Sequence, residues 1–335
     1  MSSASNASNI VSNVEHSTQR KYTILHGECK DHAGAVQVEP IKDFDLNDTI
    51  FKTLSGKIPR LFMKAKIAKE PTWSSDTEKK IQQDYGELRK DFEVPIIDQA
   101  LLQFMQNECD FNAEHADGSF MEHLVYGYEY ALRYYPEHSA RVMLLHSIMG
   151  TATNTFAMED SKISALKTFL TDFEFLHISA FPSFLRLMYE PTFFASLLQN
   201  KDRIGALEGI RFHRVIDNEM MTMDADNLWI QLNYHLMHFM DFLPVANWQT
   251  HFSDPLLQIF IQLSDFLDTM GQRQAKVDFP KPLEAFQKPV QENLSVGSRL
   301  SNLVPVKLKM KLATKSIRQF STDIGHSLHF ELLWK

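Results

Sequence analysis

From about residue 95 to residue 270 the chain repeats one pattern: a helix-start signal, apolar residues at spacings of three and four, then a breaker. Pro95 opens a segment carrying Ile97, Leu101, Phe104 and Met105. Ser119-Phe120-Met121-Glu122 reads as a capping box, in which the Ser hydroxyl accepts an amide proton and the Glu carboxylate reaches back to the Ser amide. Behind it Leu124, Tyr128, Ala131 and Leu132 share a face as far as about Tyr135. Pro136 breaks that helix and begins another with Ala140, Met143, Leu144 and Ile148 inward and Gly150 as its stop. Further helices are expected over 161–178, 182–200, 226–243 and 254–270, the last capped by Ser253 with Pro255 in its first turn. Upstream, Ile50, Leu54, Ile58 and Leu61 define a helical face, and the charged stretch 76–91 reads as a solvated helix. With only 12 Gly and 13 Pro in 335 residues, and 25 Phe and 15 Met to fill an interior, the chain is expected to be mainly α.

Two stretches depart from that period. Phe212, Arg214 and Ile216 alternate, Asp217-Asn218 makes a turn, and a Met-rich strand returns to Met223, which predicts a hairpin over 211–223. In the tail Val304, Val306, Leu308, Met310 and Leu312 alternate with Lys307, Lys309 and Lys311, which predicts a strand with one buried face; Leu328, Phe330 and Leu332 repeat the alternation weakly. Residues 1–45 show no lasting period and read as a flexible arm. The helical domain then spans 46–272, and 273–335 form a Pro-containing linker and a basic C-terminal segment.

The formal net charge of −8 disfavours nucleic acid as a partner of the whole chain. The charge is uneven. Residues 296–335 hold seven Lys/Arg against Asp323 and Glu331, a net +5, which leaves −13 on residues 1–295. Such a tail either docks on the chain's own acidic body, the favoured reading, or offers a surface to an acidic partner. Two cysteines, Cys29 and Cys109, make no disulfide framework and fit a reducing compartment. The Ser/Asn-rich start lacks the apolar core of a secretory signal, and no run of 18 apolar residues occurs, so a cytoplasmic protein without a transmembrane segment is expected.

Fourteen histidines carry what chemistry the sequence offers. His123 opens one helix and His146 lies near the end of the next. A tight turn at Pro136 would set those two ends side by side, as a divalent metal requires of its imidazoles. His235, His238 and Asp241 are spaced i, i+3, i+6 along one side of a later helix, His235 at the edge of the Leu228–Leu232–Phe239 stripe and His238 and Asp241 toward the polar arc.

The segments His115-Ala116-Asp117-Gly118, Glu122-His123-Leu124 and His146-Ser147-Ile148-Met149-Gly150-Thr151 resemble the core of the HD superfamily, and most of all an uncharacterised HD-like family with H-x-G, HL and HS-I-x-G-T motifs. The resemblance covers roughly residues 110–245. It implies an HD-like helical bundle, here with a short β-hairpin and a small β-containing tail. By the same resemblance the chain would be a metal-dependent phosphohydrolase acting on a phosphorylated small molecule, or an iron oxygenase. It implies His123 and His146 as ligands, with His238 and then His235 as the third. His115 is implied as a ligand, a supporting group or an acid–base group, and Asp241 as a proton-handling group. The sequence departs from the superfamily at Ser147, where a His-Asp pair has its Asp; a hydroxyl is a poor ligand and cannot bridge two ions. A histidine-rich set suits Fe or Zn better than Mg. A helical binding or scaffold protein that has lost the metal site is the contrasting expectation, and Ser147 favours it.

Rival motifs are thin. Glu174-Phe175-Leu176-His177 matches one Glu-x-x-His element of a di-iron bundle, which needs two. There is no Gly-rich phosphate loop, no G-x-S-x-G elbow and no C-x-x-C pair.

Overall fold

The computed structural model describes residues 28–32, 35–39, 98–109, 114–115, 118–119, 124, 127–128, 131–132, 134–152, 154, 156–240, 255–276 and 303–335. The helices expected around residues 50–61 and 76–91, and the linker beyond residue 276, lie outside the described residues.

The described part is mainly helical, with one three-stranded antiparallel sheet and two two-stranded pairs. Within the segment read as an arm, strands β1 (Glu28–His32) and β2 (Ala35–Glu39) pair antiparallel. Helix α1 (Gln99–Glu108) begins four residues after Pro95 because Asp98 caps it, its carboxylate accepting from the Ala100 amide at 2.8 Å. Leu101, Phe104 and Met105 are buried as their spacing predicts. Two-residue strands β3 (Glu114–His115) and β4 (Gly118–Ser119) precede the helical residues Leu124, Gly127, Tyr128, Ala131 and Leu132. The chain turns at Pro136 into α2 (Arg141–Leu145), and Ala140, Met143, Leu144 and Ile148 are all buried. Gly150 ends the segment at φ 124°, a left-handed conformation that suits only glycine.

The next two expected helices divide differently. A 3₁₀ turn (Asp160–Lys162) leads into α3 (Ile163–Lys167), and the chain breaks before α4 (Asp172–Leu187). The break comes from a second capping box: the Thr171 hydroxyl accepts from the Glu174 amide at 3.2 Å, and the Glu174 carboxylate accepts from the Thr171 amide at 2.9 Å. Pro182 does not start a helix but sits inside α4. A proline there costs about 3 kcal/mol in an exposed helix. Ile178, Phe181, Phe184 and Leu187 bury the same helix on both sides of it, and that packing outweighs the lost amide. Helix α5 (Pro191–Gln199) carries its proline in the first turn and ends in a 3₁₀ segment (Lys201–Ala206).

The hairpin is found where alternation placed it. Strand β5 (Leu207–His213) pairs with β6 (Met220–Asp224), and Asn218 in the connection adopts φ 58°. Helices α6 (Ala225–Met240) and α7 (Pro255–Met270) follow. Helix α6 packs against α2, α4, α7 and both hairpin strands, and so lies at the centre of the fold.

The tail is not the strand that its alternation predicts. Residues Val306–Asp323 form helix α8. Alternation covers only its first two turns. Beyond them the buried residues Thr314, Ile317, Phe320 and Ser321 recur at three and four, and a Lys-, Leu- and Met-rich stretch has high helix propensity. Leu308, which a strand would have turned inward, is 47% exposed. Strand β7 (Glu331–Trp334) then joins the sheet, antiparallel to the other side of β5, in the order β6-β5-β7. The tail docks on the chain's own body. Arg318 forms a two-pronged pair with Glu190 (2.8 and 2.6 Å), the Thr314 hydroxyl donates to Tyr189 O (2.8 Å), and the buried Arg186 guanidinium reaches the Ser321 hydroxyl (3.1 Å).

The middle strand of the sheet is also its tightest point. A methyl group at Gly209 would lie 2.2 Å from the Met223 carbonyl oxygen and 3.0 Å from Asp224 Cα, beside an irregularity in the β5–β7 register. Since backbone cannot yield there, Gly209→Ala is expected to destabilise the fold by about 2–4 kcal/mol. Urea unfolding measures it. A loss under about 0.5 kcal/mol, the range of an ordinary surface change, would contradict this packing.

A buried histidine cluster on helices α2, α4 and α6

Helix α6 brings polar residues into the interior. Gln231, Asn233, Tyr234, His235 and His238 are all buried, together with Leu228, Leu232, Leu236 and Met237. His238 does not lie on an exposed polar arc, because every residue of α6 from Gln231 to His238 is buried. His238 is 7% exposed.

His146 comes from the turn that follows α2. Its Nδ1 lies 2.7 Å from Met143 O. A carbonyl only accepts, so Nδ1 carries the hydrogen and, in the neutral ring, Nε2 carries the lone pair. The His146 and His238 rings pack edge to face with centroids 4.6 Å apart. The Phe181 ring from α4 touches His146 at 4.7 Å, His238 at 5.4 Å and His235 at 4.0 Å. The fold thus unites His146 with His238 and places His235 one turn away, against the same phenylalanine. His123 and Asp241 lie outside the described residues. His115 lies in β3, its backbone opposite Gly118. Among the described residues no three His, Cys, Asp or Glu side chains converge closely enough to hold an ion by themselves.

A second group of contacts was not singled out from the sequence. His177, fully buried on α4, has Nε2 2.9 Å from the Asn227 side-chain oxygen and Nδ1 2.8 Å from the Gln231 amide. The other end of that amide lies 3.3 Å from His235 Nε2. Asn227 Nδ2 donates to Asp224 Oδ2 at 2.9 Å. The sequence signal for this chain is Asp224, Asn227, Gln231 and His235 at spacings of three, four and four, a polar ladder running from the end of β6 along one side of α6. Glu174, the partner of His177 in the di-iron-like motif, is committed elsewhere. It closes the α4 capping box and accepts from the Ser139 hydroxyl at 2.6 Å. Ser147 is buried at 6% exposure, and its carbonyl accepts from the Gly150 amide.

Burial sets the charge state of these rings. It holds His177 neutral, its pKa pushed down to about 4 although Gln231 and Asn227 pull upward. Burial pushes His235 down to about 3, and His326, beneath the tail, down to about 4. Two open grooves lie elsewhere. One of about 490 Å³ runs between α5 and β7, lined by Thr192, Ser196, Asn200, Phe330, Leu332 and Trp334. The other, about 320 Å³, lies beside Phe156, Glu159, Ile216 and Ile324. Neither is lined by a histidine of the cluster.

The depressed values fix a pH dependence. A histidine with a folded pKa near 4 and an ordinary unfolded value near 6.5 binds fewer protons folded than unfolded between those limits. Stability is therefore complete above about pH 6.5 and falls as the pH drops toward 4, by on the order of 3 kcal/mol for His177 alone. Urea unfolding between pH 7 and pH 4.5 tests this. His177→Gln, which has no proton to gain, should flatten the profile, and an equally steep profile in that variant would contradict it.

No family model, curated protein or solved structure matches this chain.

Proposed function

We propose that the chain is an HD-like, metal-dependent enzyme, a hydrolase of a phosphorylated small molecule. The observation that supports this reading is the buried pairing of His146 and His238, with His146 Nδ1–H donated to Met143 O, so that in the neutral ring Nε2 carries the lone pair. A histidine that donates one ring hydrogen to a backbone carbonyl is in the form in which its other nitrogen ligates a metal. The donor chemistry fits Zn or Fe better than Mg. His146 and His238 would hold the ion with His123, the third ligand implied by the sequence motif. A bound ion of this kind supplies Lewis-acid polarisation of a phosphoryl oxygen and activation of water. Phe181 keeps bulk water from the two rings. His115 and Asp241 are the proposed proton-handling groups. Neutral imidazoles leave the ion's charge uncompensated, and an anionic phosphoryl group compensates it.

The iron oxygenase is the variant of this proposal in which the same nitrogens hold iron. A non-catalytic binding or scaffold role is favoured by one residue, Ser147, a buried hydroxyl where the superfamily pattern carries a carboxylate. We place the protein in the cytoplasm on its reduced cysteine. Cys109 is buried and free, and burial pushes its thiol pKa up to about 12, which makes it inert. Among the described residues no helix is long and apolar enough to cross a membrane.

Protein purified without a histidine tag and dialysed is expected to retain Zn or Fe by elemental analysis. His146→Ala and His238→Ala should each lose it, whereas His213→Ala, in the hairpin, should keep it. Each loss also removes the linkage stabilisation of bound metal, about 3 kcal/mol at a hundredfold excess over Kd. Full occupancy in both variants would overturn the site. A metal-loaded protein that fails to hydrolyse any phosphomonoester or phosphodiester tested, and consumes no dioxygen, would favour the scaffold role.

A further inference from the structure

Helix α8 carries five cations, Lys307, Lys309, Lys311, Lys315 and Arg318, and no acidic residue before Asp323 at its end. Its inner face is occupied: Thr314, Ile317, Phe320 and Ser321 are buried. Its outer face is open. Lys307, Lys311 and Lys315 follow one another at spacings of four and form one exposed stripe, which Arg318 continues three residues on. At 1.5 Å per residue the stripe is about 16 Å long. Arg318 is compensated by Glu190, but the three lysines form no ion pair with a described residue. Local physics opposes such a stripe. Like charges at i, i+4 repel on a helix surface, and Lys307 stands in the first turn, at the positive end of the helix dipole. Solubility is served as well by mixed signs. Two large apolar side chains stand beside the lysines: Leu308 is 47% exposed, and Leu303, just ahead of the helix, is 77% exposed.

We propose that the outer face of α8 is a docking surface for an anionic lipid bilayer: Lys307, Lys311 and Lys315 meet the charged headgroups, and Leu303 and Leu308 enter the boundary between headgroups and acyl chains. This surface is independent of the function proposed above. Charge complementarity selects the partner. Three uncompensated cations in a row match a plane of negative charge, and the −13 carried by residues 1–295 turns the body away from it, so one field both attracts and orients the molecule. The stripe is not a slot for a peptide, since neither groove is lined by a residue of α8. Single-stranded nucleic acid binds on exposed rings as well as cations, and Phe320, the one aromatic residue of α8, is buried. Leucines beside lysines fit the bilayer interface, which takes apolar side chains and cations side by side.

The experiment is co-sedimentation of the full chain with vesicles of phosphatidylcholine alone and of phosphatidylcholine with about one-third phosphatidylserine. Wild type should bind the phosphatidylserine vesicles only, and added salt should weaken that binding. A lysine near such a surface adds roughly fivefold to the affinity, so the combined Lys307→Gln, Lys311→Gln, Lys315→Gln variant should bind on the order of a hundredfold more weakly. Leu303→Ser with Leu308→Ser should cost roughly tenfold, through the apolar area no longer buried in the bilayer. All five side chains are exposed, so both variants should keep the wild-type urea midpoint, and lost binding is then loss of the surface. No binding to the phosphatidylserine vesicles, equal binding to phosphatidylcholine alone, or undiminished binding by the lysine variant would overturn the docking surface. Binding to polyuridylate or polyglutamate as tight as to the vesicles, and unaffected in the leucine variant, would overturn the lipid assignment in favour of a soluble polyanion.

Discussion

Burial of α6 from Gln231 to His238 is the constraint that organises this molecule. A helix covered on all sides is normally apolar all round. This one carries Gln231, Asn233, Tyr234, His235 and His238 into the interior, and each must find a partner or cost free energy. Asn233 uses its full capacity: its amide donates to Trp229 O and Gln272 O, and its oxygen accepts from the amides of Gln274 and Ala275. Those bonds fasten the chain leaving α7 across α6. The Tyr234 hydroxyl donates to Ser139 O at 2.9 Å and ties α6 to the approach to α2. The polar groups of the central helix thus fix the path of segments far away in sequence, and the His146–His238 contact is set by the same docking.

Arg186 plays the corresponding part for the tail. It is fully buried, and its bonds go to Thr151 O, the Asn154 side chain and the Ser321 hydroxyl, all neutral acceptors. Burial lowers its pKa to about 10, so it remains a cation near neutrality. A buried charge is tolerated when its donors are satisfied. Here the acceptors come from two places, the loop after Gly150 and helix α8, so satisfying the cation requires both to be present. The uneven charge of the sequence is explained in part by this docking. Arg318 pairs with Glu190 of the body, and Glu331 of β7 with Arg211 of β5. Lys307, Lys311 and Lys315 remain exposed along α8.

The helical body was legible because burial there follows the period of three and four. The hairpin was legible because Asp217-Asn218 is turn chemistry, and Asn218 does take the positive φ that such a turn requires. Misreadings came where local pattern and tertiary contact disagree. Residues 304–312 alternate, yet the deciding contacts of that helix lie further on, at Ile317 and Phe320. Pro182 signals a helix start, yet its neighbours are buried on one continuous helix. The turn at Pro136 predicts the meeting of His123 with His146, a contact that lies outside the described residues, and His238 is only the third ligand that the resemblance implies. In the sequence His177 reads as half of a Glu-x-x-His ligand element. Its actual partners, Asn227 and Gln231, are amides on another helix, and amides attract little notice in a search for metal ligands.

That contrast also bears on what the cluster can bind. His146 and His238 pack on each other and on Phe181, while the amides of Gln231 and Asn227 stand between His235 and the carboxylate of Asp224. The carboxylate is at the exposed end of the chain, so its effect arrives as a direction of hydrogen bonding rather than as charge. Ser147 acts to the same end, since a hydroxyl beside His146 adds no negative charge where an aspartate would. His177 and His235, kept neutral by burial, need not shed a proton to donate a lone pair at any pH well above 4. A cation held among such nitrogens, as the proposed function requires, would keep its full charge in a site of low dielectric and would attract anions more strongly than a carboxylate-bridged centre.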